Sequence, residues 1–346
     1  MNNAEVFKVL INTPSPSGYE ENLQMKVQNI ISPFVDKTVL DNQGNLLCYK
    51  KATNSIQPKT IMLTAHIDEI GMLVHYIDEN GYIRFSKLGG VDIQVLKGRN
   101  VLISHEDKSI PGVIGSKPVH MKNENAKTEF DISDLWIDIG AHSKNETESI
   151  VEIGDPIVID ADLKMLQNNI ITGRGCDDKV GVMVLIKTME LLSSKECCHN
   201  IIAVMTVQEE VGLRGAITAA FDINPDIGIA IDVAHATDYP TVNKTKHGDI
   251  RIGRGVIIPR GTDLTIQLQR RFQEIAKEMN IPFQALALPG PSGTDAHAIQ
   301  VSRGGCMTGL LCIPCRYMHT PVETVSICDI ENAAKLLSKY CLMVNS

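Results

Sequence analysis

Between about Gly71 and Leu166 the sequence carries short β-type runs separated by turn signals and no long helical periodicity. On either side of that stretch, apolar runs alternate with helix-length amphipathic segments. A strand repeats its face every second residue and a helix about every 3.6, so a change of period in mid-chain marks a change of architecture. The expectation is an α/β domain interrupted by an all-β, barrel-like insertion, divided as 1–69, 70–166 and 167–346. At roughly 100–200 residues per domain, 346 residues give enough chain for this division.

In the first part, Thr60–Ala65 (TIMLTA) is apolar enough to be a strand buried on both faces. Ser17-Gly18-Tyr19-Glu20 has the spacing of a helix capping box, and Leu23, Val27 and Ile30 follow at helical spacing. In the middle part, Met72–Ile77 and Tyr82–Leu88 flank the Asn80-Gly81 turn signal. Val101–Ser104, Ile110–Ile114, Leu135–Ile139 and Ile157–Ile159 add further strands. After Asn168, helices are predicted over Asp178–Leu192, over Leu264–Met279 and from about Asp329 onward. Between them lie strand-like runs at Ile201–Val207, Ile227–Ile231 and Met307–Ile313. This alternation predicts a largely parallel, doubly wound sheet with helices on both faces.

Hydrophobic residues make up 43% and charged residues 21%, which supports a packed core and argues against dominant disorder. No apolar run reaches the ~18 residues of a membrane-spanning helix. A net charge of −8 disfavours nucleic acid as a partner. The amino terminus lacks the basic and apolar regions of a secretory signal, and the nine cysteines sit mostly inside apolar runs. Both features point to reduced thiols in a cytoplasmic protein. Cys312-Ile-Pro-Cys315 is a lone CxxC and reads as strand residues near a core.

Polar residues stand where apolar strands end or helices begin: His66-Ile67-Asp68, Asp177-Asp178, Glu209-Glu210, Asp232 and His319. In open α/β sheets functional groups collect at the carboxyl ends of strands, so these residues converge on one edge. Two histidines and three carboxylates suit a pair of divalent cations with mixed nitrogen and oxygen ligands. Two dications balance three carboxylates and a hydroxide, and a neutral sum is what a buried site tolerates best. His66-x-Asp68 reads as a ligand whose second ring nitrogen meets a carboxylate. Of Asp177 and Asp178, one can cap the helix while the other binds metal. Glu209 and Glu210 can serve one site only if the strand has ended, and the glycines of Val211-Gly212-Leu213-Arg214-Gly215 permit the turn. Adjacent carboxyls fit poorly with glycosidase chemistry, which flanks the sugar bond at roughly 5–9.5 Å. No glycine-rich stretch reads GxxxxGK[ST], so a phosphate cradle is not expected.

Seven strings make the pattern specific: PSPSGYE (14–20), TAHIDEIGMLV (64–74), GRGCDDKVGV (173–182), QEEVGLRGA (208–216), IDVAHATDYP (231–240), GTDAHAIQ (293–300) and RYMHTPVETV (316–325). Together they resemble metallopeptidase family forty-two, the tetrahedral glutamyl- and leucyl-type aminopeptidases, whose members have often been labelled endoglucanase M. The resemblance spans nearly the whole chain. It implies a mixed, zinc-peptidase-like α/β sheet whose insertion makes dimer contacts, with dimers assembling to a dodecamer. It implies two divalent ions per subunit, zinc foremost and cobalt or manganese as alternatives. His66 and His319 would be terminal ligands and Asp177 the bridge, while Asp232 would join one metal and Glu210 the other. Glu209 would be general base towards a metal-bridging hydroxide, later the general acid, and Asp68 would orient His66. The implied activity is removal of the amino-terminal residue from peptides.

Cys176 departs from the aliphatic residue of many relatives, and His235 and His297 also differ; these flanking positions could tune substrate choice. His235, Asp295 and His297 are candidate substrate contacts. Arg214 and Thr294 read as turn or capping residues bordering the pocket. His75, His105, His142, His199 and His247 read as surface residues, and His120, in SKPVHM of the insertion, could reach a neighbouring subunit's site. A dimetal carboxypeptidase or deacylase on the same scaffold, and more distantly a carbohydrate-active protein, are the competing readings. Aromatic residues at 4% are thin material for sugar-stacking platforms.

Overall fold

The protein's structure, a computed structural model, describes residues 3–121 and 131–343, without the side chain of Val119. The first part supplies α1 (Asn3–Asn12), α2 (Glu21–Ile31), β1 (Lys37–Leu40), β2 (Leu46–Lys50) and β3 (Thr60–His66). Then come β4 (Gly71–Ile77), β5 (Ile83–Leu88), β6 (Asn100–His105), β7 (Lys108–Ser116), β8 (Leu135–Asp138), the short α3 (Lys144–Glu148) and β9 (Pro156–Ile159). The last part begins with β10 (Lys164–Met165), β11 (Ile170–Gly173), α4 (Cys176–Leu192), β12 (Asn200–Thr206), α5 (Arg214–Ile223) and β13 (Ile227–His235). It continues through α6 (Lys244–His247), β14 (Val256–Gly261), α7 (Ile266–Glu278), β15 (Phe283–Leu288) and α8 (Asp295–Gln300). It ends with β16 (Met307–Cys315), β17 (Glu323–Ser326) and α9 (Ile327–Met343).

β4 to β9 close into a barrel in the order β4-β5-β8-β7-β6-β9. Its pairings are antiparallel, and its interior is filled by residues such as Met72, Phe85, Leu96, Ile103, Ile137 and Ile157. Closure removes the open edges that an isolated antiparallel sheet would expose. The main sheet has eight strands in the order β1-β2-β12-β3-β13-β16-β14-β15. Its central strands β12, β3, β13 and β16 run parallel, while β2 and β14 join antiparallel. Ile61, Leu63 and Ala65 of β3 share one core with residues of α1, α2, α4, α7 and α9. Met62, on the opposite face, packs with Ala219 and Ala220 of α5 and Ile299 of α8. The fold is therefore the expected mixed α/β sheet, helical on both faces, with a barrel between its halves.

Pairing within this sheet positions the site. β3 stays paired with β12 to its last residue, His66 opposite Thr206, but with β13 only as far as Thr64 opposite Ala230. The strands part there and leave a crevice. The chain also reverses direction across the sheet at this point, because β12 and β13, joined by α5, lie on opposite sides of β3. That is where open α/β sheets place their ligands.

Three local expectations change. Ser17 and Glu20 form no capping box: α2 begins at Glu21 with Glu20 at its N-cap, the Ser17 hydroxyl goes to Asp68, and the Glu20 carboxylate goes to Gln208 and Gly18. β13 runs on to His235, so Asp232 lies inside the strand rather than at its end. Helix α9 starts at Ile327, and Asp329 accepts the N–H groups of Gly253 and Gly255 at 2.6 and 2.8 Å. Cys312 and Cys315 are both buried on β16. Among the described residues no helix is long and apolar enough to cross a membrane.

Candidate metal centre

His66 ends β3, Asp177 sits in the extended entry to α4, Glu209 and Glu210 follow β12, Asp232 projects from β13, and His319 follows β16. One Asp177 oxygen, Oδ1, lies 3.1 Å from His66 Nε2, and the other, Oδ2, lies 3.4 Å from His319 Nε2. A single carboxylate thus faces two imidazoles delivered by different strands. His319 Nε2 is also 3.3 Å from Glu210 Oε1, and His66 Nε2 is 4.0 Å from Glu209 Oε2. Ligand-type atoms of His66, Asp177 and Glu210 all fall within 4.8 Å of one another, as do those of His66, Glu209 and Asp232. So many inward-facing carboxylates are costly to bury without positive charge. The mixed imidazole and carboxylate donors fit divalent cations of the zinc, cobalt or manganese kind.

The carboxylate of Asp68, buried beneath this cluster, fixes the two glutamates through their backbone. Its Oδ1 accepts the Glu209 N–H at 3.0 Å, and its Oδ2 accepts the Glu210 N–H at 3.2 Å and the Ser17 hydroxyl at 2.6 Å. His66 Nδ1 lies 3.1 Å from the Asp68 carbonyl oxygen and 3.4 Å from its Oδ1, so the backbone oxygen is the nearer of the two. Glu20 extends the cradle: its Oε1 accepts the Gln208 N–H at 3.0 Å and the Gly18 N–H at 2.8 Å. Gln208 is in the left-handed region, φ 55°. The strand has ended by then, which is how neighbours 209 and 210 reach one site.

Two other buried acids escaped the sequence reading. Glu323 accepts the Asp177 N–H on Oε2 at 3.0 Å and the His319 N–H on Oε1 at 2.8 Å. Glu69 pairs with Lys179 at 2.7 Å and Arg174 at 3.3 Å, and Lys179 also donates to the Thr13 carbonyl at 3.0 Å. This triad ties together the loops that carry the site. An acid within an otherwise apolar β-run, as in Pro321-Val322-Glu323-Thr324-Val325, was the available signal for Glu323.

Burial sets the electrostatics first, and neighbouring charges adjust it. Burial pushes Glu209 up to about 10, helped by Asp232, Asp295 and Glu210 and opposed by His66. Burial likewise drives Asp232 well above the usual carboxylate range. Burial works against ionisation of Asp177, yet contacts with His319 and His66 outweigh it and hold its carboxyl low. Hydrogen bonding to Asp177 and then Glu210 raises His319 to about 11. For His66, burial disfavours the charge, but Glu209, Asp177 and Asp68 together raise it well above the ordinary imidazole value.

Asp178, at the start of the regular part of α4, accepts the Gly181 N–H on Oδ1 at 3.1 Å. Cys176 is buried behind the site with its thiol towards the Gly173 and Glu323 carbonyls. A cleft of about 1040 Å³ opens over His66, Asp177, Glu209, Glu210, Asp232 and His319 and extends past His235, Tyr239, Leu286 and Met318. Thr294 also lines it, capping α8 through the Ala296 N–H. Asp295 and His297 sit elsewhere than expected. Asp295 is 2% exposed beneath the cleft floor and accepts the Thr206 hydroxyl at 2.7 Å. His297 lies outside the lining, its Nδ1 3.9 Å from Asp263. Helix α8 turns both side chains off the cleft wall, so of the three candidate contacts only His235 lines the cleft. His75, His142, His247 and His120 are exposed. His105 is half-buried against Asp155, and His199 is buried, accepting the Lys59 N–H on Nδ1 at 3.1 Å, which corrects its reading as a surface residue.

Known proteins match this chain over most of its length. Residues 44–336 match the M42 glutamyl aminopeptidases. A lysyl aminopeptidase of Pyrococcus furiosus is 33% identical over 337 residues, 96% of this chain and 94% of that one. An aminopeptidase from the archaeon Desulfurococcus kamchatkensis has the same fold, with a TM-score of 0.91 at 35% identity over 98% of this chain and 94% of that one. The TET1 peptidase of Pyrococcus horikoshii, which can assemble into a tetrahedron or a large octahedral shell, matches at TM-score 0.87 and 32% identity over 99% of each chain. With most of its length matched in both sequence and structure, the chain belongs to the M42 glutamyl aminopeptidase family, and its activity is that of an aminopeptidase, a hydrolase of peptides.

Proposed function

We propose that this aminopeptidase works with two divalent cations per subunit, and the observation that carries the proposal is Asp177, whose two oxygens face His66 and His319 separately. In this reading Asp177 would be shared between the two ions, His66 and Asp232 would hold one, and His319 and Glu210 would hold the other. Zinc is the native ion proposed, with cobalt or manganese able to replace it. When bound, the ions polarise the scissile carbonyl and make water acidic enough to lose a proton near neutrality. Glu209 takes that proton on its carboxylate and delivers it to the leaving amine. With divalent cations held beside it, the ionised form of Glu209 would be favoured and its raised pKa would fall towards a working value. Asp68 holds Glu209 and Glu210 at their stations through the backbone. The free amine of a substrate's amino terminus would bind near one of the two ions while the other polarises the carbonyl, which selects for trimming from that end. His235 is the proposed substrate contact among the three candidates.

Residues 70–166 are proposed as the insertion domain that forms dimers, between catalytic parts 1–69 and 167–346. Dimers of this chain are proposed to build a cytoplasmic dodecamer, by likeness to the TET1 peptidase. An N-acetylated peptide should resist cleavage while the same peptide with a free amine is trimmed, and a chelator should abolish the activity. Equal cleavage of both peptides would favour a deacylase or carboxypeptidase instead, and activity surviving metal removal would sink the dimetal reading.

Metal loading should also release protons. His319, raised to about 11, and His66, raised well above the ordinary imidazole value, hold protons at pH 7 that a cation must displace. Apparent affinity should therefore fall about tenfold per pH unit of acidification for each proton displaced. Calorimetry in two buffers of different ionisation enthalpy measures this directly. Binding without proton release would show that His66 and His319 are already neutral before the ions arrive.

A further inference from the structure

We infer that Glu323 is a positioning residue that sets the spacing between the shared carboxylate and the distant imidazole; the inference rests on the dimetal reading above. Glu323 opens β17, is 2% exposed, and spends one oxygen on each of two segments. Oε2 holds the Asp177 N–H at 3.0 Å, and Oε1 holds the His319 N–H at 2.8 Å. His319 has φ 62°, a left-handed conformation uncommon for a residue with a β-carbon, so its backbone needs an external anchor. Asp177 lies in extended backbone ahead of the regular part of α4, where no helical hydrogen bond fixes its N–H. Glu323 supplies both anchors from one planar group, and the result is the 3.4 Å approach of His319 Nε2 to Asp177 Oδ2.

The arrangement requires a carboxylate. Two N–H donors converge on two oxygens, and an amide offers only one acceptor oxygen while its NH₂ would oppose the second donor. Asp68 provides the counterpart on the other side, accepting the N–H groups of Glu209 and Glu210. Two buried acids, neither assigned as a metal ligand, thus hold the backbones of four residues that face the cleft. Outer partners of this kind orient metal ligands and govern affinity.

The test compares Glu323→Gln, Glu323→Asp and His319→Ala with the unsubstituted enzyme. It reads zinc stoichiometry and affinity against a competing chelator, the melting curve, and kcat and KM on an aminoacyl-anilide. Glu323→Gln should fold cooperatively but bind zinc about 10–100-fold more weakly at one site per subunit. Its kcat should fall with little change in KM. Glu323→Asp keeps both oxygens, drawn back by one methylene, and should fall between Glu323→Gln and the parent, which guards against a variant that simply fails to fold. Lower thermal stability with zinc affinity and kcat at parental values in both Glu323 variants would overturn the inference and leave a purely structural role. If His319→Ala loses one zinc while Glu323→Gln does not weaken it, the positioning role alone fails. If the parent binds fewer than two zinc ions per subunit, or His319→Ala keeps both, the dimetal reading fails and takes this inference with it.

Discussion

Glu209→Gln is expected to lower kcat by about 10²–10⁴-fold, the range contributed by a positioned general base, while both cations stay bound. Glutamine has nearly the same shape, and the bond that places residue 209 uses its backbone N–H to Asp68 Oδ1 at 3.0 Å, which the substitution leaves intact. What is lost is the ability to take up a proton. KM should change little, because the substrate meets the same walls. The neighbouring variant Glu210→Gln provides the contrast: Glu210 Oε1 lies 3.3 Å from His319 Nε2, so that change should weaken metal binding first and activity as a consequence. Metal analysis beside steady-state kinetics separates the two patterns. A Glu209→Gln enzyme within tenfold of the parent would remove Glu209 from the proposed base role.

Glu69→Ala should destabilise the fold by about 3–5 kcal/mol, the cost of breaking a buried ion pair from one side. Glu69 is buried against two cations, Lys179 at 2.7 Å and Arg174 at 3.3 Å, and Lys179 is fully buried. Removing the acid strands both positive charges together in the interior. Lys179→Met should cost less, because Arg174 still answers Glu69 and methionine fills most of the vacated stem. Burial already pushes Lys179 down to about 8 against the pull of Glu69, so its charge depends on that partner. Denaturant midpoints of the two variants measured side by side test the order. Equal losses, or a larger loss for Lys179→Met, would show that the triad's energy does not reside in the acid.

Much of the architecture could be read from hydrophobic period. The change from helix-and-strand alternation to short strands located the barrel, and TIMLTA and IIAVMTVQ announced buried parallel strands before any pairing was known. The donor types at the strand ends were equally legible. Positions that depend on long-range hydrogen bonds were not. Ser17 and Glu20 carry a local capping signature, but the Ser17 hydroxyl goes to Asp68 and the Glu20 carboxylate to Gln208. Glu323 shows in the sequence only as an acid in a β-run, and its partners, the backbone N–H groups of Asp177 and His319, are set by the fold. Asp295 belongs to a loop-like string, yet α8 turns it under the floor towards Thr206.

The sequence by itself determined which residues could form strands and helices and which side chains could hold a cation, because period and donor chemistry are local properties. Residue chemistry left Asp177 and Asp178 open and only the family resemblance favoured Asp177; the tertiary structure is what sets its two oxygens against two histidines. It also decided that buried acids hold the surrounding backbone. These outcomes depend on where β3 stops pairing with β13, at Thr64 opposite Ala230, and a register between strands so far apart in the chain is fixed by packing of the whole sheet.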